Sequence, residues 1–477
     1  MRSLFQHRTA HACHLRLGAL LATVAVLGGC ASFSPDGGFG DVQKTAKARL
    51  GKDLVMAKSD ADQDAIAQRV GELLTRPLMV DDAVQVALLN NRGLQATFQE
   101  LGITEAEVVQ AGRLPNPGFS FGRSSRGDER EIERGLHFNL GRLLAMPLIN
   151  QMEARRFEQT KGMVAMSVLS IAADTRKAYY MAVGAEEGVR YMRQVKQAAE
   201  ASAELARRMA AVGNFNKLQQ AREQGFYADA TLNLARTQQA QRSSRERLTR
   251  LMGLWGAQTQ FALPERLPDL PKEPTDQPDI ERVAMAQRLD VQGARLAAEQ
   301  TAKSLGLTKV TRFVNVLEVG LMRNSSNEEP TQRGWEIGFE LPLFDWGGAR
   351  VARAEGVYRQ ALHRTAETAI NARSEVREAY GNYRSAYDIA RHHREEIVPL
   401  RQRIAEENVL RYNGMLIGVF ELLADARVQI ASVNNAIEAL RDFWIAQADL
   451  DMALIGKPSL AAMAGPAMAA EAGGAAH

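Results

Sequence analysis

The sequence predicts a mainly helical, internally duplicated protein with a small transmembrane β part. Three observations carry that expectation: long stretches free of proline, short segments that alternate with a period of two, and a repeat relating the two halves of the chain. Residues 148–263, 343–398 and 400–457 contain no proline. A continuous helix from Met146 to Ala211 would run about 100 Å at the ~1.5 Å rise of an α-helix. That length suits a coiled coil or the wall of a tube, since an average globular helix has only ~11–12 residues. Of the 477 residues, 45% are hydrophobic and 24% charged, as in an ordered protein rather than a disordered chain. Beyond the N-terminus no apolar run approaches the ~20 residues that a spanning helix needs, so any bilayer crossing falls to strands.

Residues 1–29 read as a secretory signal: Arg2, Arg8 and Arg16 with no acid, then an apolar run from Leu17 to Gly29 that ends in small residues. Leu27-Gly28-Gly29-Cys30 resembles a bacterial lipobox, in which Cys30 is lipidated and becomes the first mature residue. Residues 30–79 are then a lipidated N-terminal extension, and Ala31 favours export to the outer membrane. Apart from that covalent lipid no cofactor is expected. The other cysteine, Cys13, leaves with the signal, which excludes a disulfide scaffold. Removal of the three arginines takes the formal charge from +3 to zero, so the mature chain offers no electrostatic case for binding nucleic acid.

Pro264, Pro268, Pro271, Pro274 and Pro278 mark 262–278 as an extended linker. It separates a first repeat, 80–261, from a second, 279–457. Arg176-Lys177-Ala178-Tyr179 aligns with Arg377-Glu378-Ala379-Tyr380, and Gly213 with Gly414, both at an offset of 201. Ala221-Arg222 aligns with Ala426-Arg427, and Leu251-Met252-Gly253 with Leu454-Ile455-Gly456. The slip between Gly213 and Ala221 is about one helical turn, which leaves an apolar face unrotated. Each repeat is read as a helix, a β-hairpin (118–141 and 313–343) and a helical hairpin (146–253 and 346–456). The first helix opens at Asp81-Asp82, acids suited to a helix N-terminus, with apolar positions at Val84, Ala87, Leu88 and Leu94. The matching helix covers roughly 279–305. Pro399 should kink the second long helix, and the Ala- and Gly-rich tail 458–477 reads as disordered.

In the hairpins Phe119 and Phe121 alternate with Ser120 and Gly122, and Leu136, Phe138 and Leu140 with His137, Asn139 and Gly141. In the second repeat Leu317, Val319 and Leu321 alternate with Glu318 and Gly320, and Trp335, Ile337, Phe339 and Leu341 with Glu336, Gly338 and Glu340. Ser124–Glu133 and Asn324–Arg333 are expected as polar loops. One large apolar face and one polar face suit lipid outside and water inside, although a soluble sandwich would alternate similarly. Four strands cannot close a barrel, which needs about eight, and open edges are not tolerated in lipid. Several chains must then share one barrel: two would supply eight strands and three would supply twelve.

The lipobox, Leu88-Leu89-Asn90-Asn91-Arg92-Gly93-Leu94, the Pro115-Asn116-Pro117 ahead of a hairpin, Leu341-Pro342-Leu343-Phe344-Asp345-Trp346-Gly347-Gly348, and the duplicated Gly-interrupted helices together resemble the lipidated branch of the TolC-like outer-membrane efflux factors. The likeness covers roughly residues 80–457. It implies a homotrimer with one 12-stranded β-barrel in outer-membrane lipid and a periplasmic tunnel of long antiparallel helical hairpins. It also implies docking to a periplasmic adaptor and an inner-membrane pump, the chain being a passive exit duct. On this reading Val212-Gly213-Asn214 and the turn at Gly414-Met415 are the adaptor-contacting tips. Glu421 and Asp425, which share a helical face at i, i+4, resemble the paired acids that narrow the tunnel entrance, at a spacing one residue longer than the family's. Tyr412 resembles the tyrosine of the closing network, while Leu416 stands where the family has an arginine. Glu318, Glu336 and Glu340 would line the barrel.

Enzymatic constellations are missing from the sequence. The mature histidines, His137, His363, His392, His393 and His477, are too scattered for a metal site. No phosphate-cradling loop or nucleophile elbow occurs, so the chain is read as no enzyme. The alternative reading is a lipid-anchored periplasmic coiled-coil adaptor or scaffold, which should carry one helical hairpin rather than two alternating with β-hairpins.

Overall fold

The computed structural model describes residues 32–311, 317–339 and 343–458. The signal 1–29, Cys30, Glu340 and the tail from residue 459 lie outside the described residues. The elements in order are α1 (Phe39–Leu50), α2 (Asp60–Leu74), α3 (Val80–Asn90), α4 (Arg92–Ala111), β1 (Gly118–Arg126), β2 (Glu129–Asn139), α5 (Leu140–Ala211) and α6 (Lys217–Met252). There follow α7 (Ile280–Gln287), α8 (Leu289–Thr311), β3 (Leu317–Ser326), β4 (Gln332–Phe339), α9 (Gly348–His392), a π-turn (His393–Ile397), α10 (Val398–Asn413) and α11 (Val419–Ile455). The chain is mainly α with one four-stranded antiparallel sheet in the order β1-β2-β3-β4. It divides into two units.

The first unit takes the chain up to Val42, Phe98–Val164 and Gln292–Glu367, and holds the sheet. Ser34, close to the proposed lipidation position, is pinned there: its backbone N–H donates to Glu105 Oε1 at 2.7 Å, and its hydroxyl donates to the same atom. Lys161 then bridges Asp41 at 3.0 Å and Glu158 at 2.7 Å.

The second unit takes Gln43–Thr97, Ala165–Val291 and the chain from Thr368. Two of its buried clusters are each built mainly from one repeat. Val86, Ala87 and Leu89 of α3 pack with Tyr179, Val183, Leu248 and Met252. Ile280 and Ala284 of α7 pack with Val376, Ala379, Tyr383, Phe443 and Leu450. The aligned residues Ala178 and Ala379 are both buried. The proline-rich segment between the repeats is tied down rather than free. Leu267 and Leu270 are buried, Trp444 Nε1 donates to Pro268 O at 3.0 Å, and Tyr387 donates to Lys272 O at 2.7 Å.

Several expectations are corrected. The opening helix of each repeat is two helices, because Asn91 (φ −68°, ψ 113°) and Arg288 (φ −67°, ψ 123°) are extended. Leu94 therefore belongs to α4. The N-cap of α3 is Met79 with no side-chain bond, while Asp81 and Asp82 stand in the first turn, as expected of acids at a helix N-terminus, and pair with Lys52 and Arg76. α5 starts at Leu140, which is thus no strand residue, and runs through Pro147, whose ring removes one bond to the preceding turn. Pro399 enters α10 directly after the π-turn, the local i→i+5 pattern that absorbs such a break. The strands extend to Arg126 and Glu129 and to Ser326 and Gln332, so most of the expected loop residues are paired.

The helix breaks answer each other across the repeat. Asn90 Nδ2 donates to Met252 O and Gly253 O at 3.1 and 2.8 Å, and Asn91 Nδ2 to Leu251 O at 2.9 Å. In the second repeat Arg288 Nη1 donates to Ala453 O at 3.3 Å. Each break thereby satisfies carbonyls at the end of its repeat's last helix, which a helix terminus leaves open. Gly253 sits at φ 65°, and a Cβ there would lie 2.6 Å from Asn90 O. Gly253→Ala is expected to cost about 2–4 kcal/mol, from left-handed strain plus the clash; an unchanged thermal midpoint would show that the segment simply moves aside.

Candidate functional site

The register separates the sheet into two chemically distinct faces. On one lie Ser120, Glu131, Glu133, His137, Asn139, Glu318, Asn324 and Glu336 together with glycines, and on the other Phe119, Phe121, Leu136, Phe138, Leu321, Trp335, Ile337 and Phe339. Trp335 and Phe119 are 70% and 69% exposed. Outer strands β1 and β4 each have a partner on one side only among the described residues, so the sheet presents open hydrogen-bonding edges.

Of the barrel acids read from sequence, Glu318 and Glu336 share the polar face; Glu340 lies outside the described residues. The sequence did not reveal that Glu336 joins a chain across the strands. Its Oε1 lies 3.1 Å from His137 Nδ1, and His137 Nε2 lies 2.9 Å from Ser120 Oγ. Gly320 pairs with both His137 and Glu336, and a Cβ there would sit 2.6 Å from Glu336 Oε1. The missing side chain is what lets the two reach each other.

The helix turns form the second candidate region. α5 ends with Gly213 at φ 81°, Gly213 N donating to Ala210 O and Asn214 N to Met209 O. This doubly bonded cap is the usual left-handed helix end. The second turn uses the same pattern one residue later: Gly414 has φ −79°, and Met415 takes the left-handed position at φ 57°. Met415 N donates to Tyr412 O and Leu416 N to Arg411 O. Val212 and Asn214 are exposed, as are Gly414 and Tyr412, and Met415 is 92% exposed.

Glu421 is exposed in the first turn of α11. Asp425 is half-buried and accepts a hydrogen bond from Asn408 Nδ2. Arg427, two residues past Asp425, pairs with Glu223 Oε1 at 2.8 Å. Glu223 is 1% exposed and also accepts from Ser202 Oγ at 2.7 Å. Nearer the first turn, hydrogen bonds from Arg207 and then Arg208 hold Glu204 down to about 2. No group of three metal-ligating side chains occurs among the described residues, and no described helix is long and apolar enough to cross a membrane.

No family profile matches the sequence. Over 308 residues the chain is 23% identical to the cobalt-zinc-cadmium resistance protein CzcC of Cupriavidus metallidurans, covering 63% of this chain and 71% of that protein. Its fold matches a membrane protein from Pseudomonas aeruginosa with a TM-score of 0.68 at 19% identity, over 79% of this chain and 92% of that one. It also matches the open state of the Neisseria gonorrhoeae MtrE outer-membrane channel with a TM-score of 0.66 at 17% identity, over 79% and 89%.

Proposed function

We propose that this chain, a TolC-like outer-membrane factor by its fold, is the exit duct of a tripartite efflux system. The observation that carries this reading is the open sheet itself. An isolated four-stranded sheet with exposed aromatics on one face and two edges that no described strand pairs is stable neither in water nor in lipid. Copies arranged edge to edge remove both problems, and three of them supply twelve strands. The aromatic face then meets lipid and the face of Glu318 and Glu336 lines water. A lipid on Cys30 would add an anchor, with Ser34 holding the following segment to α4.

The chain supplies no energy of its own in this reading: an inner-membrane pump drives export. A periplasmic adaptor opens the helical tips by docking on Val212, Gly213, Asn214, Gly414 and Met415. Glu421, Asp425 and Tyr412 surround the entrance, and repeated about an axis the acids select cations over anions. CzcC is a cobalt-zinc-cadmium resistance protein, so divalent metal cations are the first cargo to test.

The full chain in detergent is expected to be trimeric and to form pores in planar bilayers. A monomer that never conducts would overturn the reading. Glu421→Gln with Asp425→Asn is expected to lower the cation-to-anion permeability ratio about two- to fivefold without dissociating the trimer. An unchanged ratio would remove these acids from the entrance.

A further inference from the structure

Apart from Arg126, which shares the face of Glu129, the sheet sorts its charges by face. All acids of the described strands, Glu129, Glu131, Glu133, Glu318 and Glu336, point to the polar side. Arg123, Arg130, Arg134, Arg323 and Arg333 point to the other, among the aromatics. Three of them form a row: Arg134 of β2 is directly opposite Arg323 of β3, and Arg323 opposite Arg333 of β4. Like charges opposed across strands repel. The acids of the described strands do not relieve them, because they are on the far face. None of Arg123, Arg134, Arg323 and Arg333 has an ion pair or side-chain hydrogen bond among the described residues.

The row lies at a boundary. On its helix side come the apolar rows Phe119–Leu136–Leu321–Trp335 and Phe138–Val319–Ile337. Toward the turns come Arg123–Ile132–Ser325 and then Ser125 opposite Arg130. Guanidinium groups at an edge of an apolar band, beside an interfacial Trp335, match a ligand with acyl chains on one side and anionic oxygens on the other. The planar fork of arginine suits phosphate in particular.

We infer that Arg134, Arg323 and Arg333 bind the phosphates of the anionic glycolipid in the outer leaflet, locking each copy of the sheet to the surrounding lipid. The inference rests on the reading of this face as lipid-facing. A free phosphate would gain nothing from the apolar rows beneath, whereas a phosphorylated lipid uses both.

The test is native mass spectrometry of the full-length trimer, offered diphosphorylated lipid A, the same lipid without phosphate, or inorganic phosphate. The wild type is expected to retain the diphosphorylated lipid at least about tenfold better than the phosphate-free one, as charge-assisted pairing implies. The triple variant R134Q/R323Q/R333Q, and to a lesser degree R323Q alone, should lose that preference while remaining a conducting trimer. Wild-type trimers that conduct but ignore the phosphates would overturn this inference alone, as would retention of inorganic phosphate with no gain from acyl chains. A preference untouched in a conducting triple variant would also overturn it. Monomers without conductance would overturn both the inference and the reading beneath it.

Discussion

Arg288→Met is expected to destabilise the protein by about 3–5 kcal/mol, the range for removing one partner of a buried ion pair. Arg288 is 1% exposed and is the largest fully buried side chain of the described core. Its Nε and Nη2 grip the carboxylate of Asp290 at 3.0 and 2.7 Å, Nη2 also reaches Glu375 at 2.6 Å, and Nη1 caps Ala453 O. Burial opposes the charge on the guanidinium, but the bonds to Asp290 and Glu375 outweigh it and raise its pKa. Methionine fills similar volume yet leaves two half-buried carboxylates without their cation and an end carbonyl of α11 without a donor. Lysine would keep the charge and lose the fork, so Arg288→Lys should fall between the two. The measurement is the thermal or denaturant midpoint of the assembled protein. A methionine variant that unfolds with the wild type would show that Asp290 and Glu375 find water instead.

Much of the architecture is legible in the sequence because it rests on periodicity. The alternation at Phe119–Gly122 and Leu317–Leu321 marks which face each residue takes, and the prolines mark the segment between repeats. Local chemistry misleads where two signals compete. The charged residues around Arg130 and Glu133 look like loop residues, yet they are paired strand residues, since the end of this sheet is polar on both faces. The apolar pattern runs unbroken past Asn91 and Arg288; the local cap, Asn91 Oδ1 accepting from Leu94 N, is a signal the sequence offered, whereas the carbonyls of Leu251 and Ala453 that the two side chains also reach are distant. Gly414 is the natural choice for a left-handed turn residue, but the hydrogen-bond pattern falls on Met415. Of the candidate tip residues, Asp425 could be read from its spacing to Glu421, while Asn408, its hydrogen-bond donor, could not. Glu223 and Arg427 belong to different repeats, and no local signal joins them.

That last pair leads to the second large effect. Arg427→Ala is expected to destabilise the chain by about 2–3 kcal/mol, because it strands a buried carboxylate, with the value held down by the partial exposure of Arg427 itself. Glu223 lies about two turns into α6 and Arg427 about two turns into α11. With Ser202 of α5 on the other carboxylate oxygen, the pair ties the first helical hairpin to the second close to their turns. Arg427 also lies over the Phe226 ring at 4.3 Å, so alanine removes a packing contact as well as a charge. On the proposed reading as a gated duct, a tip closed by the two hairpins staying together would be opened by releasing this tie. Arg427→Ala should then raise conductance in planar bilayers severalfold without any adaptor present. Glu223→Gln, which keeps the bond to Ser202 and a neutral acceptor for Arg427, should do so less. The double variant Glu223→Ala with Arg427→Ala should be no less stable than Arg427→Ala alone, since it removes the stranded charge. A destabilised variant with wild-type conductance would assign the pair to folding only, and one with neither change would show that the hairpins are held together elsewhere.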